Sequence, residues 1–101
     1  MNPYGLQVKY LAASGLVSGT PAAIKAVYTM HSSSEAGAVK FYNLNVAPTV
    51  EDVPVGQIDI GHQGSDTFTI PEYGVLFDKG IYVVLPANVT INVFYKDARY
   101  A

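Results

Sequence analysis

The 101-residue sequence predicts an all-β fold: an antiparallel β-sandwich, jelly-roll or immunoglobulin-like, of about seven or eight short strands. Three observations predict it. Apolar residues recur at every second position along most of the chain, the period of a half-buried strand. The nine glycines and six prolines fall at or just outside the edges of those runs, where a chain that must reverse direction needs them. No window carries an apolar stripe at helical spacing; Ser32 to Ala38 has helix-tolerant residues but nothing to bury.

The runs follow one another in order. Leu6, Val8 and Tyr10 alternate with Gln7 and Lys9. Ile24, Ala26, Tyr28 and Met30 alternate with Lys25, Val27 and Thr29. Val39 and Phe41 bracket Lys40, Ile58 and Ile60 bracket Asp59, and Phe68 and Ile70 bracket Thr69. Val89, Ile91, Val93 and Tyr95 alternate with Thr90, Asn92 and Phe94. Ile81 to Leu85 is apolar on both faces, which predicts a central strand, or one with a face in an interface. Gly61 to Ser65 is expected to join residues 57–60 and 66–70 as a hairpin, and Pro86-Ala87-Asn88 to join the last two strands as another. Asp78-Lys79-Gly80 reads as a tight turn. Asn43 to Pro54, the longest gap, reads as a crossover between sheets or an exposed functional loop. The four phenylalanines are expected in the core and the eight tyrosines at its margins.

This length makes one domain, with a body at about residues 6–96 and short arms at 1–5 and 97–101. Half the residues are hydrophobic and only 14% are charged. That balance is the reverse of a disordered chain's. No apolar run approaches the ~20 residues that span a bilayer. Met1 to Gly5 has neither the basic start nor the apolar block of a secretory signal. With no cysteine there is no disulfide scaffold, thiolate nucleophile or Cys-based metal site. A formal net charge of −2, with six cations scattered singly, argues against nucleic acid and anionic membrane as partners. So small a body must cover much of its surface with neutral and apolar side chains, and a neighbour that covers part of it is the simplest account.

The inventory for chemistry is thin. His31 and His62 both sit among small polar residues and read as solvent-exposed turn histidines. No nucleophile elbow and no Gly-rich phosphate loop follows a strand, so catalytic and cofactor-binding residues are expected to be absent. Glu51-Asp52, Asp59 and Asp66 lack the spacing of a calcium loop, and no metal site is expected. Asn88-Val89-Thr90 matches a glycosylation acceptor and reads as a chance match. Tyrosine is common at carbohydrate and protein contacts, which makes Tyr4, Tyr73, Tyr82 and Tyr100 a candidate patch.

The segment Pro71-Glu72-Tyr73-Gly74-Val75-Leu76-Phe77-Asp78-Lys79-Gly80-Ile81-Tyr82-Val83, running on into Leu85-Pro86-Ala87-Asn88-Val89-Thr90 and Val93-Phe94-Tyr95, resembles a pattern in small virion proteins of tailed bacteriophages. Ile24 to Tyr28, Val39 to Tyr42 and Val55 to Ile58 are similar to the β-rich body of the same proteins. The resemblance implies a non-enzymatic capsid decoration (cement) protein on the outer surface of the virion. Its partner would be the major capsid protein, with self-association, as a trimer, around a capsid symmetry axis. The expected contact elements are the Asn43–Pro54 loop, the Ile81–Leu85 strand and the arms. The candidate interface residues are therefore Tyr4, Val46, Val50, Tyr73, Tyr82, Val84 and Tyr100. The alternative is a tail or fibre-associated module that binds host surface glycans through its tyrosines.

Overall fold

A computed structural model describes residues 6–70 and 74–98. They form nine strands: β1 (Leu6–Leu11), β2 (Gly15–Ser18), β3 (Ala22–His31), β4 (Gly37–Tyr42), β5 (Gly56–Ile60), β6 (Gly64–Thr69), β7 (Val75–Phe77), β8 (Ile81–Val84) and β9 (Val89–Asp97). Two antiparallel sheets result. The first runs β1-β9-β3-β6, with β7 beside β3 on the same edge as β6; the second runs β2-β8-β4-β5.

The pairing is nested. β1 pairs with β9, β2 with β8, β3 with β6 and β7, and β4 with β5. A long hairpin folded over so that its strand pairs fall alternately into two sheets is the jelly roll. This resolves the choice between jelly-roll and immunoglobulin-like order, and it overturns three local readings. The turn at residues 61–63 and the turn at 86–88 each join strands in opposite sheets, so neither closes a hairpin. Three residues span roughly 10 Å, the spacing of packed sheets, so a short Gly-rich link serves a crossing as well as a hairpin. The long 43–55 segment, read as either a crossover between sheets or an exposed functional loop, is not a crossover: it joins two paired strands of one sheet.

Burial follows the alternation in β9, where Val89, Ile91 and Val93 are buried and the residues between them are not. β8 lies between β2 and β4, as its doubly apolar sequence predicts. Ile81 and Val83 are fully buried, while Tyr82 and Val84 on the other face are half-buried. The core draws Ile24, Val27, Phe77, Ile91 and Val93 from one sheet and Val17, Val39, Phe41, Ile60, Ile81 and Val83 from the other. Phe41 and Phe77 are buried there, but Phe68 is exposed on the edge strand β6 and Phe94 is half-buried. Tyr42, expected at a margin, is buried.

Two strands depart from the alternation read in the sequence. In β3 the register against β9 shifts between Ile24 and Ala26, a β-bulge at Lys25. The extra residue reverses the phase: Ala22 and Ile24 face inward before it, and Val27, Thr29 and His31 are buried after it. Ala26, Tyr28 and Met30 therefore share the outer face. β1 keeps a strict alternation with the opposite orientation. Its apolar residues Leu6, Val8 and Tyr10 pair with Lys96, Phe94 and Asn92 on the outer side of β9, while Gln7, Lys9 and Leu11 pair with Tyr95, Val93 and Ile91 on the inner side. All of β1 except Leu11 is exposed. It is an edge strand beyond the reach of the opposing sheet, so its inner side stays open to solvent and can carry Gln7 and Lys9.

Candidate functional site

Of the predicted interface residues, Tyr4, Tyr73 and Tyr100 lie outside the described residues. The other four lie on the 43–55 loop and on β8, which pairs with the strand that leads into that loop. The chain leaves β4 at Tyr42, makes the 43–55 excursion and returns where Val55 N–H donates to the Phe41 carbonyl at 2.7 Å. Tyr42 pairs with Tyr82, and Lys40 with Val84. Tyr82 and Val84 therefore stand on the outer face of the second sheet, beside the root of the loop that carries Val46 and Val50.

The loop is held at its root and at its tip. At the root, the Asn43 side chain donates Nδ2 to Asp78 Oδ1 at 2.6 Å and accepts the Lys79 N–H on Oδ1 at 2.9 Å. Gly80 completes the contact: a Cβ there would stand 2.7 Å from the Ser18 carbonyl oxygen and 3.0 Å from that of Leu44, so the backbones approach as only glycine allows. At the tip, Thr49-Val50-Glu51-Asp52 forms a turn closed by Asp52 N–H to the Thr49 carbonyl at 3.1 Å. The Asp52 carboxylate reaches back to accept the Thr49 N–H at 2.7 Å and its hydroxyl at 3.2 Å. The Thr49 Oγ1 accepts the Glu51 N–H at 3.4 Å. The Thr49 N–H to Asp52 carboxylate bond is one half of a helix capping box, used on an isolated turn.

What the stapled turn displays is apolar. Val50 is fully exposed, and Val46, Val53 and Val55 are 62%, 81% and 54% exposed. The loop's only charged residues are Glu51 and Asp52, and the Asp52 carboxylate already serves the turn. Four exposed valines on one excursion form the kind of surface that water leaves readily against a complementary partner.

The opposite end of the sandwich is built differently. There the links between β1 and β2, β3 and β4, β5 and β6, and β8 and β9 come together around a cleft of about 640 Å³. Across the outer face of the first sheet its lining runs from Tyr10 and Ala12 on the β1 side, through Thr90 on β9 and Met30 on β3, to Ser65 on β6. Gln63 and Asn88, both amide-bearing residues, also line the cleft.

His31 lines this cleft, and the structure corrects its reading as an exposed turn residue. It is the last residue of β3, paired with both Val89 and Gly64, and it is 5% exposed. Its Nδ1 lies 2.9 Å from the His62 carbonyl oxygen; a carbonyl only accepts, so Nδ1 carries a hydrogen. The strand continues through His31 because partners on both sides take up its backbone groups; the serines that follow mark the turn one residue later. His62 is exposed, as expected, and its Nε2 lies 2.8 Å from Asp66 Oδ2.

Among the described residues no cluster of three His, Asp or Glu side chains is placed to hold a metal ion. Among the described residues the clear perturbation of an ionisable group is at Tyr95, whose phenol is raised above its ordinary value first by burial and then by the nearby Asp97 carboxylate. It donates to Gln7 Oε1 at 3.2 Å and ties β9 to β1. No known protein family matches this chain, and no characterised protein or solved structure is significantly similar to it.

Proposed function

We propose that this protein is a virion structural protein of a tailed bacteriophage, a non-enzymatic capsid decoration protein that docks on the outer surface of the major capsid protein and stabilises the particle. The observation that carries the reading is the 43–55 loop: a turn fixed by its own hydrogen bonds that holds Val50 fully exposed among three further exposed valines. Ordering a loop at an interface costs about 0.5–1.5 kcal/mol for each immobilised side chain, and a pre-ordered turn bearing short β-branched residues avoids most of that. Buried apolar area contributes roughly 25 cal/mol per Å² before association costs. The outer face of β8, with Tyr82 and Val84, extends the contact beyond the loop root. Jelly rolls serve in many viral capsid domains, which supports the reading by analogy of fold and no further. Trimers around a capsid symmetry axis belong to the same proposal.

The test is co-sedimentation of the purified protein with capsids of the phage that encodes it, made without the protein, together with the capsid disruption temperature. The wild type should bind and raise that temperature. Val50→Asp places an unpaired charge in the contact and should weaken binding about tenfold or more, with the unfolding midpoint of the free protein unchanged. Absence of wild-type binding, or binding at the wild-type level by both Val50→Asp and a Val46→Asp/Val50→Asp double variant, refutes the proposal.

A further inference from the structure

We propose that the cleft at the end of the sandwich opposite the 43–55 loop is a binding site for a neutral oligosaccharide, a di- or trisaccharide segment laid along the trough between Tyr10 and Met30. This inference goes beyond the capsid-docking reading and stands on separate residues.

Its first support is size and shape. A volume of about 640 Å³ falls within the range of small-ligand sites, which run from about 300 to 1,000 Å³. The register shows how the trough is made: Tyr10 and Ala12 form one wall, Thr90 lies on the floor and Met30 forms the other wall. Tyr10 is 56% and Met30 51% exposed. A sugar ring presents apolar C–H faces and polar edges. An exposed phenol ring and a thioether side chain cover the faces, and the phenol oxygen meets the edges.

The second support is the polar set. Among the described residues no Asp, Glu, Lys or Arg lines the cleft, which disfavours an ionic ligand. Gln63 and Asn88 offer amides, and Ser65 and Thr90 offer hydroxyls, all of which can both donate and accept, as sugar hydroxyls require. Among the described residues these four side chains form no hydrogen bond with another protein group.

The third support is that the loops are fixed by other bonds. Asn88 sits in the left-handed region at φ 66°. Its carbonyl accepts the Ser32 N–H at 3.0 Å and the Ser32 hydroxyl at 3.3 Å, so its backbone is held while its amide stays free. The bond from His31 Nδ1 to the His62 carbonyl pins the turn that carries Gln63. Binding then orders little that is not already ordered.

The test is an NMR titration of the full chain with N,N′-diacetylchitobiose, maltotriose, cellotriose and galactobiose, each to about 10 mM, a range that detects millimolar dissociation constants. At least one should shift the resonances of Tyr10, Met30, Asn88 and Thr90 together. Tyr10→Ala should weaken that binding about tenfold. Asn88→Gly should weaken it several-fold with the turn intact, because glycine adopts φ 66° without strain and the bonds to the Asn88 backbone carbonyl remain. Cleft shifts with none of the four sugars, shifts that map elsewhere, or unchanged affinity in both variants would overturn the assignment. Val50→Asp should bind the sugar as the wild type does, so failure of capsid docking and failure of the cleft are separate results.

Discussion

The two ends of the sandwich solve opposite problems with the same few strands. At one end a single long loop, joining neighbours in one sheet, is stapled at Thr49–Asp52 and anchored through Asn43 and Gly80, and it presents valines. At the other end several short links that hop between sheets meet around a concave trough lined by amides, hydroxyls and one tyrosine. A nested jelly roll makes this division natural. At the cleft end all four links are crossings between sheets and leave little chain to project, while at the other end the paired β4–β5 segment grows outward beside the short β2–β3 and β7–β8 crossings without disturbing either sheet. The comparison teaches that an exposed apolar loop and a polar-lined cleft can be placed on one small body without sharing a residue.

The most severe way to break this comparison is to delete Lys25. Removing the bulge residue puts the two halves of β3 in a single phase, so either Ala22–Ile24 or Val27–His31 must turn away from the core. Both ends depend on β3, and cooperative unfolding in denaturant should be lost altogether; a deletion variant with a near-native midpoint would show that the bulge sets no phase. A sharper cut is Gly80→Ala, which drives a methyl group against the Ser18 and Leu44 carbonyl oxygens. It should cost about 2 kcal/mol or more, read from the denaturation midpoint, with shift changes concentrated at the loop end and the cleft resonances of Tyr10 and Asn88 unmoved. The smallest effect is expected of Asp52→Ala. Global stability should fall by no more than about 1 kcal/mol, while the Thr49 amide, deprived of its carboxylate partner, exchanges with solvent markedly faster.

Much of the fold is legible in the residues. The alternation of Val89, Ile91 and Val93 and the doubly apolar Ile81–Leu85 run locate β9 and a central β8, because in both the side-chain period and the burial agree. Period alone states which residues share a face, not which face is inward. Leu6, Val8 and Tyr10 keep the period of β9 and still point out, because β1 is an edge strand and its inner side reaches past the other sheet. The bulge at Lys25 is invisible for a related reason: one ordinary residue absorbs the slip, and only pairing with β9 reveals it. Turn chemistry likewise marks Gly61–Gly64 and Pro86–Asn88 as reversals but cannot say whether the chain returns to its own sheet.

The sites divide along the same line. The exposure of Val46 and Val50 is legible because they lie in a gap between strands, where an apolar residue has no core to enter. That of Tyr10 and Met30 is not, because an aromatic or a methionine within an alternating run reads as core. Their exposure follows from the edge position of β1 and the phase change in β3. His31 falls between the two cases, with a polar sequence neighbourhood and a buried place at a strand end.

The pairing of β1 with β9 has a consequence for synthesis. Among the described residues β1 is paired with β9 alone, the strand farthest from it along the chain, and β3 has β9 on one side and β6 and β7 on the other. Until β9 has emerged, β1 has no edge to join and β3 is open along one side, with its backbone groups available to any passing strand. The first sheet therefore forms late, after translation of nearly the whole described chain, and a holdase chaperone present during that interval would raise the yield of folded protein more than one added afterwards.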